Sequence, residues 1–369
     1  MNVVNISDRT RRGVPAPGWT AHDQVGFELG WDYARHAVQP PVPYAHPDSA
    51  LRQGLRCGRA TFGERTRTAS TAVHRWLQLR LNAWLRGRSV ELVQVTPNYL
   101  QQIDVSHCPI TRVALAADGR ASAQACIGRV RDDAGYAAGN LAVMSRAAHH
   151  AKGAHGYREA QAVARRLSPL SRAATHGLTG PQWARVAVLC SFVERLPHDE
   201  ACALPMVVLP PNRLRLFNPV QGVQAFVSLQ LLRPGWSRRL AGFEGLLAHA
   251  GAQRDFKVFL MALLPRVIEG GRWAPLPARR WAVEDAWRAP TVQHRWAQFA
   301  RHLEPGWCES LLRQATARQL GTMRLELQDD ERATEGWNLQ TRGYLPCGSG
   351  APRPMLGHEQ LPLELAAAP

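Results

Sequence analysis

Residues 125–153 read ACIGRVRDDAGYAAGNLAVMSRAAHHAKG, and the fold turns on this stretch. ACIGRV is a short, mostly apolar run with the character of a strand. RDDAGYAAGN is turn-rich, with glycines at 135 and 139. LAVMS is a second short strand. SRAAHHAKG has the signature of a helix that begins at an N-cap, Ser145, and ends at Gly153. The expected local structure is strand, loop, strand and helix in immediate succession.

Upstream, QVTPNYLQQIDVSHCPITR (94–112) ends in a turn around Cys108. Before it, TRTASTAVHRWLQLRLNAWLRGR (66–88) places Val73, Trp76, Leu77, Leu81 and Trp84 on one helical stripe, closed by Gly87. Its other faces carry Arg75, Arg80, Arg86 and Arg88. From Arg52 to Arg88 nine arginines stand against one acid, Glu64. Residues 1–50 are Pro-rich, and VQPPVPYAHP cannot be a helix interior, so an irregular N-terminal arm is expected there. Downstream of 171, capping signals recur. Thr179, Pro181 and Gln182 begin one helix, and Asn218, Pro219 and Gln221 begin another. Three further apolar stretches each end in Gly or Pro. A mostly α-helical domain is expected over 172–345, with its tryptophans as core, and a Gly/Pro-rich flexible tail over 346–369.

The chain of 369 residues carries a net charge of +16, with Lys152 and Lys257 its only lysines. Arginine presents a planar, bidentate fork suited to phosphate, so a nucleic-acid partner, DNA before RNA, is the expectation. Seven scattered cysteines include no C-x-x-C pair and no disulfide framework. The start lacks a signal-peptide apolar core, and no apolar run approaches a membrane span. A soluble, cytoplasmic protein without membrane contact is expected.

Cys108, Pro109, Thr111, Arg129, Gly135, Tyr136, Gly139, Asn140 and Lys152 together resemble the pattern of the HNH, or ββα-metal, nucleases over residues 108–153. The resemblance implies an α+β fold: a small ββα-metal (HNH-like) module with flanking helices in 51–171, followed by the helical domain. It implies a site where one divalent metal, Mg²⁺ or another, stabilises charge on the scissile phosphate and a base activates water. It assigns Asn140 to pinning the loop and His149 to the metal-ligand position on the helix. The strand position that carries Asp in the resembling branch is Gly128, which has no donor. Arg129 beside it is a poor base and a good phosphate clamp. Asp132 and Asp133 lie in the loop, where either could replace the missing ligand only if the backbone bends back. The structural zinc of many HNH proteins is not expected, because Thr111 and Ser145 stand at cysteine positions. His107, Cys108, Cys126 and His150 are better explained by packing than by a metal.

The leading expectation is therefore a nucleic-acid-binding protein on a degenerate HNH module, using Arg129, Lys152 and His150 with Arg75, Arg80, Arg86 and Arg88. The alternatives are a working metal-dependent endonuclease using His149 with Asp132 or Asp133, and a protein-interaction scaffold whose helical domain carries the function.

Overall fold

The computed structural model describes residues 18–44, 46–115, 121–167, 173–271, 274–321 and 330–346. The expected arm before residue 18, Trp273, Cys347 and the tail beyond 346 lie outside the described residues. The chain is mostly helical, with two small two-stranded antiparallel sheets. It divides into two compact units, one of 1–101, 134–137 and 336–369, the other of 102–133 and 138–335. Residues 51–171, expected as one segment, contribute to both.

The first unit holds helices α1 (Ala21–Arg35), α2 (Ala50–Phe62), α3 (Thr71–Leu85) and α4 (Pro97–Gln102). Helix α1 corrects the expectation of an irregular arm. Thr20 and Asp23 form a reciprocal capping box, and the prolines cluster after the helix rather than in it. Helices α1 and α2 cross at glycines. A side chain at Gly30 would sit 1.9 Å from the Leu51 carbonyl oxygen, and one at Gly54 would sit 1.9 Å from that of Phe27. Only residues without Cβ allow this approach. In α3 the stripe of Val73, Trp76, Leu77, Leu81 and Trp84 is buried as expected. Segment 134–137 and the stretch after 336 complete this unit: the Ser89 amide donates to Gly343 O (2.9 Å), the Tyr136 amide to Ser89 O (2.9 Å) and the Gly135 amide to Trp337 O (2.7 Å).

The second unit begins with β1 (Ala125–Arg129) and β2 (Leu141–Ser145), paired in register from Ala125↔Ser145 to Arg129↔Leu141. Helices α5 (Arg146–Lys152) and α6 (Tyr157–Arg166) follow, then the small hairpin β3 (Ala174–Thr175) and β4 (Leu178–Thr179). The rest is helical: α7 (Gly180–Ser191), α8 (His198–Ala203), α9 (Pro219–Gln230), α10 (Trp236–Glu244), α11 (Ala250–Gly271), α12 (Leu276–Ala286), α13 (Pro290–Ala300), α14 (Pro305–Ala317) and α15 (Asp330–Ala333). Helix α7 starts as its sequence signals, with Gln182 Oε1 accepting from the Thr179 amide at 2.9 Å. Asn218 precedes α9 but uses its side chain differently. It accepts from the Leu196 amide (3.0 Å) and donates to Ser191 O (2.7 Å), bracing the turn after α7. Trp183, Trp287 and Trp296 are core, the last two with ring centroids 5.2 Å apart. Among the described residues no helix is long and apolar enough to cross a membrane.

Candidate functional site

The site is the part of the β1–β2–α5 segment that belongs to the second unit, residues 125–133 and 138–152. Its ends are set locally. Ser145 caps α5 through the Ala148 amide (3.3 Å), and Gly153 closes it with φ +48°. Asn140 is fully buried and bridges the loop. Its Oδ1 accepts from the Arg131 amide at 2.8 Å, its Nδ2 donates to Arg131 O at 3.0 Å, and its own carbonyl accepts from the Val130 amide at 2.8 Å. One amide side chain thus satisfies both backbone groups of Arg131, mimicking a ladder rung where the strands have parted.

Strand β1 meets α5 at Gly128. A Cβ on Gly128 would lie 2.3 Å from His149 Cδ2 and 2.6 Å from Nε2. The imidazole occupies the space a side chain at 128 would need. The two positions where the resemblance implies metal ligands are therefore adjacent in space, one an imidazole and the other no side chain at all. The loop carboxylates are engaged by arginines. Arg129 Nη2 meets Asp132 Oδ1 at 2.5 Å and Nη1 donates to Asp132 O at 2.8 Å. Arg131 grips Asp133 with two bonds, 2.7 and 2.9 Å. Among the described residues no group of three His, Cys, Asp or Glu side chains is placed to hold a metal ion. The donor set does not fit the metal the resemblance implies, because Gly128 supplies no oxygen and both nearby carboxylates neutralise guanidinium groups.

Cys108, Thr111 and Ser145 converge. The Thr111 amide donates to Cys108 Sγ (3.4 Å), as does Ser145 Oγ (3.3 Å), and the two hydroxyls are 3.3 Å apart. His107 packs its ring on Trp281, and Cys126 is buried, which raises its thiol pKa.

Two expected phosphate contacts point inward. Lys152 is 2% exposed, with Nζ 3.4 Å from Gly153 O. It shares the inner face of α5 with Ala148 and Ala151, because residues three and four apart share a face. Arg80 is 2% exposed. It is bonded to the buried Asp32 and lies over the Trp76 ring at 4.4 Å. Arg88 stacks on Tyr344 at 3.8 Å and donates to Arg342 O at 2.8 Å. Arg75 and Arg86 are half-buried and His150 is exposed. The exposed basic residues that charge counting did not single out are Arg52, Arg56 and Arg59 on α2, with Arg65 and Arg67 just after it. They fall outside the apolar face of α2, formed by Leu51, Gly54, Leu55 and Gly58, and that periodicity was the available signal.

Compared with known proteins, the chain matches no family model, no curated protein and no solved structure.

Proposed function

We propose that the protein binds nucleic acid, DNA in the first instance, through a ββα module of HNH type that holds a phosphate backbone without cutting it. The observation that carries this reading is Gly128 lying against His149 within a strand–loop–strand–helix pinned by Asn140. The site keeps its scaffold and its arginine but has no carboxylate on the strand. Arg129, tied to Asp132, the half-buried His149 and the exposed His150 are the groups of this module offered to a phosphate. The net charge of +16 and the exposed arginines of α2 supply the sequence-independent attraction such binding needs. The metal-dependent endonuclease reading loses support from the pairing of Asp132 and Asp133 with Arg129 and Arg131.

The test is cleavage and binding in parallel. With Mg²⁺ or Mn²⁺ the protein should retard single- and double-stranded DNA on a gel while leaving it intact. Divalent-metal-dependent cutting that disappears in His149→Ala would replace this reading with the endonuclease.

A further inference from the structure

Away from the ββα segment, the second unit gathers four arginines around two acids at the end of α12. Glu284 is buried and fully used. It accepts from the Leu209 amide (3.0 Å) and pairs with Arg280 (3.3 Å) and with Arg112 Nη2 (3.2 Å). Arg280 also donates to Leu209 O at 2.7 Å, which ties it to this acid rather than to the next.

Asp285 is left with the other guanidinium groups. Arg112 meets it with two bonds, 2.7 and 2.8 Å. Arg185 Nη2 stands 3.6 Å away and Arg288 Nη1 4.0 Å away. The Arg185 side chain is 8% exposed, whereas that of Asp285 is 46% exposed, so the cluster opens to solvent on the Asp285 and Arg288 side. The Nε atoms of Arg112 and Arg185 are buried and make no hydrogen bond. Arg112 is held with φ +63°, a backbone region that favours glycine. Burial, with Arg112 and Arg288 as cationic neighbours, pulls the Arg185 guanidinium down to about 10. Arg112, Arg185 and Arg288 crowd Asp285, only Arg112 also reaches Glu284, and with Arg280 the four guanidinium groups stand against two carboxylates. Buried cations in excess of their partners are costly. A tetrahedral oxyanion carrying one or two negative charges and several acceptor oxygens is the ligand that lowers the cost, since arginine forks match phosphate oxygens in pairs.

We infer that Arg112, Arg185 and Arg288 form a phosphate-binding site in which Asp285 serves as an internal anion that an incoming phosphate displaces. Trp281, with Arg112 5.6 Å from its ring centroid, borders the site with an aromatic face. The ligand is a phosphate ester, either free or within a nucleic-acid backbone. The inference does not depend on the ββα module, and its failure leaves the nucleic-acid reading standing.

The test is titration calorimetry of the full chain in a phosphate-free buffer at constant ionic strength, with inorganic phosphate as the probe. Wild type should bind one phosphate and melt at a higher temperature in its presence, whereas chloride at the same ionic strength should do neither. Arg288→Ala removes a side chain that is 36% exposed and lies 4.0 Å from Asp285. It should leave the unliganded melting temperature in place and weaken phosphate at least tenfold. Asp285→Asn should tighten phosphate, because the competing carboxylate is gone. If Asp285→Asn does not fold, Arg288→Ala still decides. An oligothymidylate without terminal phosphates separates the sources. If it displaces phosphate in wild type and not in Arg288→Ala, the site takes backbone diesters; if it does not, the site takes free phosphate monoesters. Absence of phosphate binding by wild type, or the same affinity in Arg288→Ala, overturns the inference. In Arg129→Ala, phosphate binding here should be unchanged even where DNA affinity falls.

Discussion

Two side chains decide the character of the ββα segment. Asn140 satisfies both backbone groups of Arg131 from a fully buried position. Asn140→Ala deletes two hydrogen bonds to the half-buried Arg131 backbone, a cost of about 1–3 kcal/mol. Urea unfolding should read it, and a loss under about 0.5 kcal/mol would mean that the loop has other support. Gly128 is the second. Gly128→Ala drives a methyl into the His149 ring, costing about 1–3 kcal/mol by overpacking. The double substitution with His149→Ala should recover most of that loss, and an additive result would sink the contact as its cause. Both positions were named from the sequence, Asn140 through the resemblance to the HNH pattern, which implies a loop-pinning role, and Gly128 because a missing side chain is visible in the letters alone. The inward turn of Lys152 was not. A lysine's charge says nothing about its direction, and the face shared with Ala148 and Ala151 outweighed it.

At the scale of elements, the strand, helix and cap assignments of 125–153 held because each is a local contest among neighbouring residues. Helix α3 shows where charge misled. Arg80 lies four residues after Trp76 and one before Leu81, among the buried residues of the helix, and not on the other faces where its charge suggested it. Arg80→Ala strands the buried Asp32 and should cost about 3–5 kcal/mol. Arg80→Met combined with Asp32→Leu should regain most of it in thermal melts. If the single substitution melts like wild type, the pair is not structural. Helix α1 is masked in the sequence by the prolines of 40–47 that follow it, although Thr20 and Asp23 spell a cap. The Arg112–Asp285 contact, spanning 173 residues, had no sequence signal, since nothing local reports pairing at that distance. Helix α6 carries a pH-dependent device. Glu194 accepts from the Tyr157 amide at 2.8 Å, and burial raises its carboxyl pKa above the ordinary value. The native state then holds that proton to higher pH than the unfolded chain does. Stability therefore falls as pH rises through the interval between the two values, and the loss is complete above the raised one. Glu194→Gln keeps an acceptor and cannot ionise. It should raise the melting temperature relative to wild type at pH 7 and make little difference at pH 4. A larger gain at pH 4 than at pH 7 would invert the sign and refute the account.

For the whole molecule the question is whether +16 is an interface or only a composition. Its distribution gives a way to ask. Arginines in 52–88 fall into those turned in or engaged with their own unit, Arg80 and Arg88, the half-buried Arg75 and Arg86 of α3 and its end, and those exposed on and after α2. If the exposed set tracks a phosphate backbone, each contact releases counterions, and log affinity falls with log salt by about 0.9 per phosphate on duplex DNA. Arg52→Ala, Arg56→Ala and Arg59→Ala together should flatten that slope by about one to three and weaken all sequences alike. The fold should survive, because none of the three lies on the apolar face of α2. Arg80→Ala makes the opposite pairing of effects, a large fall in stability and, in whatever fraction stays folded, no change in slope. Fluorescence anisotropy of a labelled duplex at four or more salt concentrations, run beside a thermal melt of each variant, reads both quantities. A triple variant with the wild-type slope would take α2 out of the interface. Affinity insensitive to salt in wild type would remove the phosphate backbone as the ligand and leave the arginines as a solvated surface.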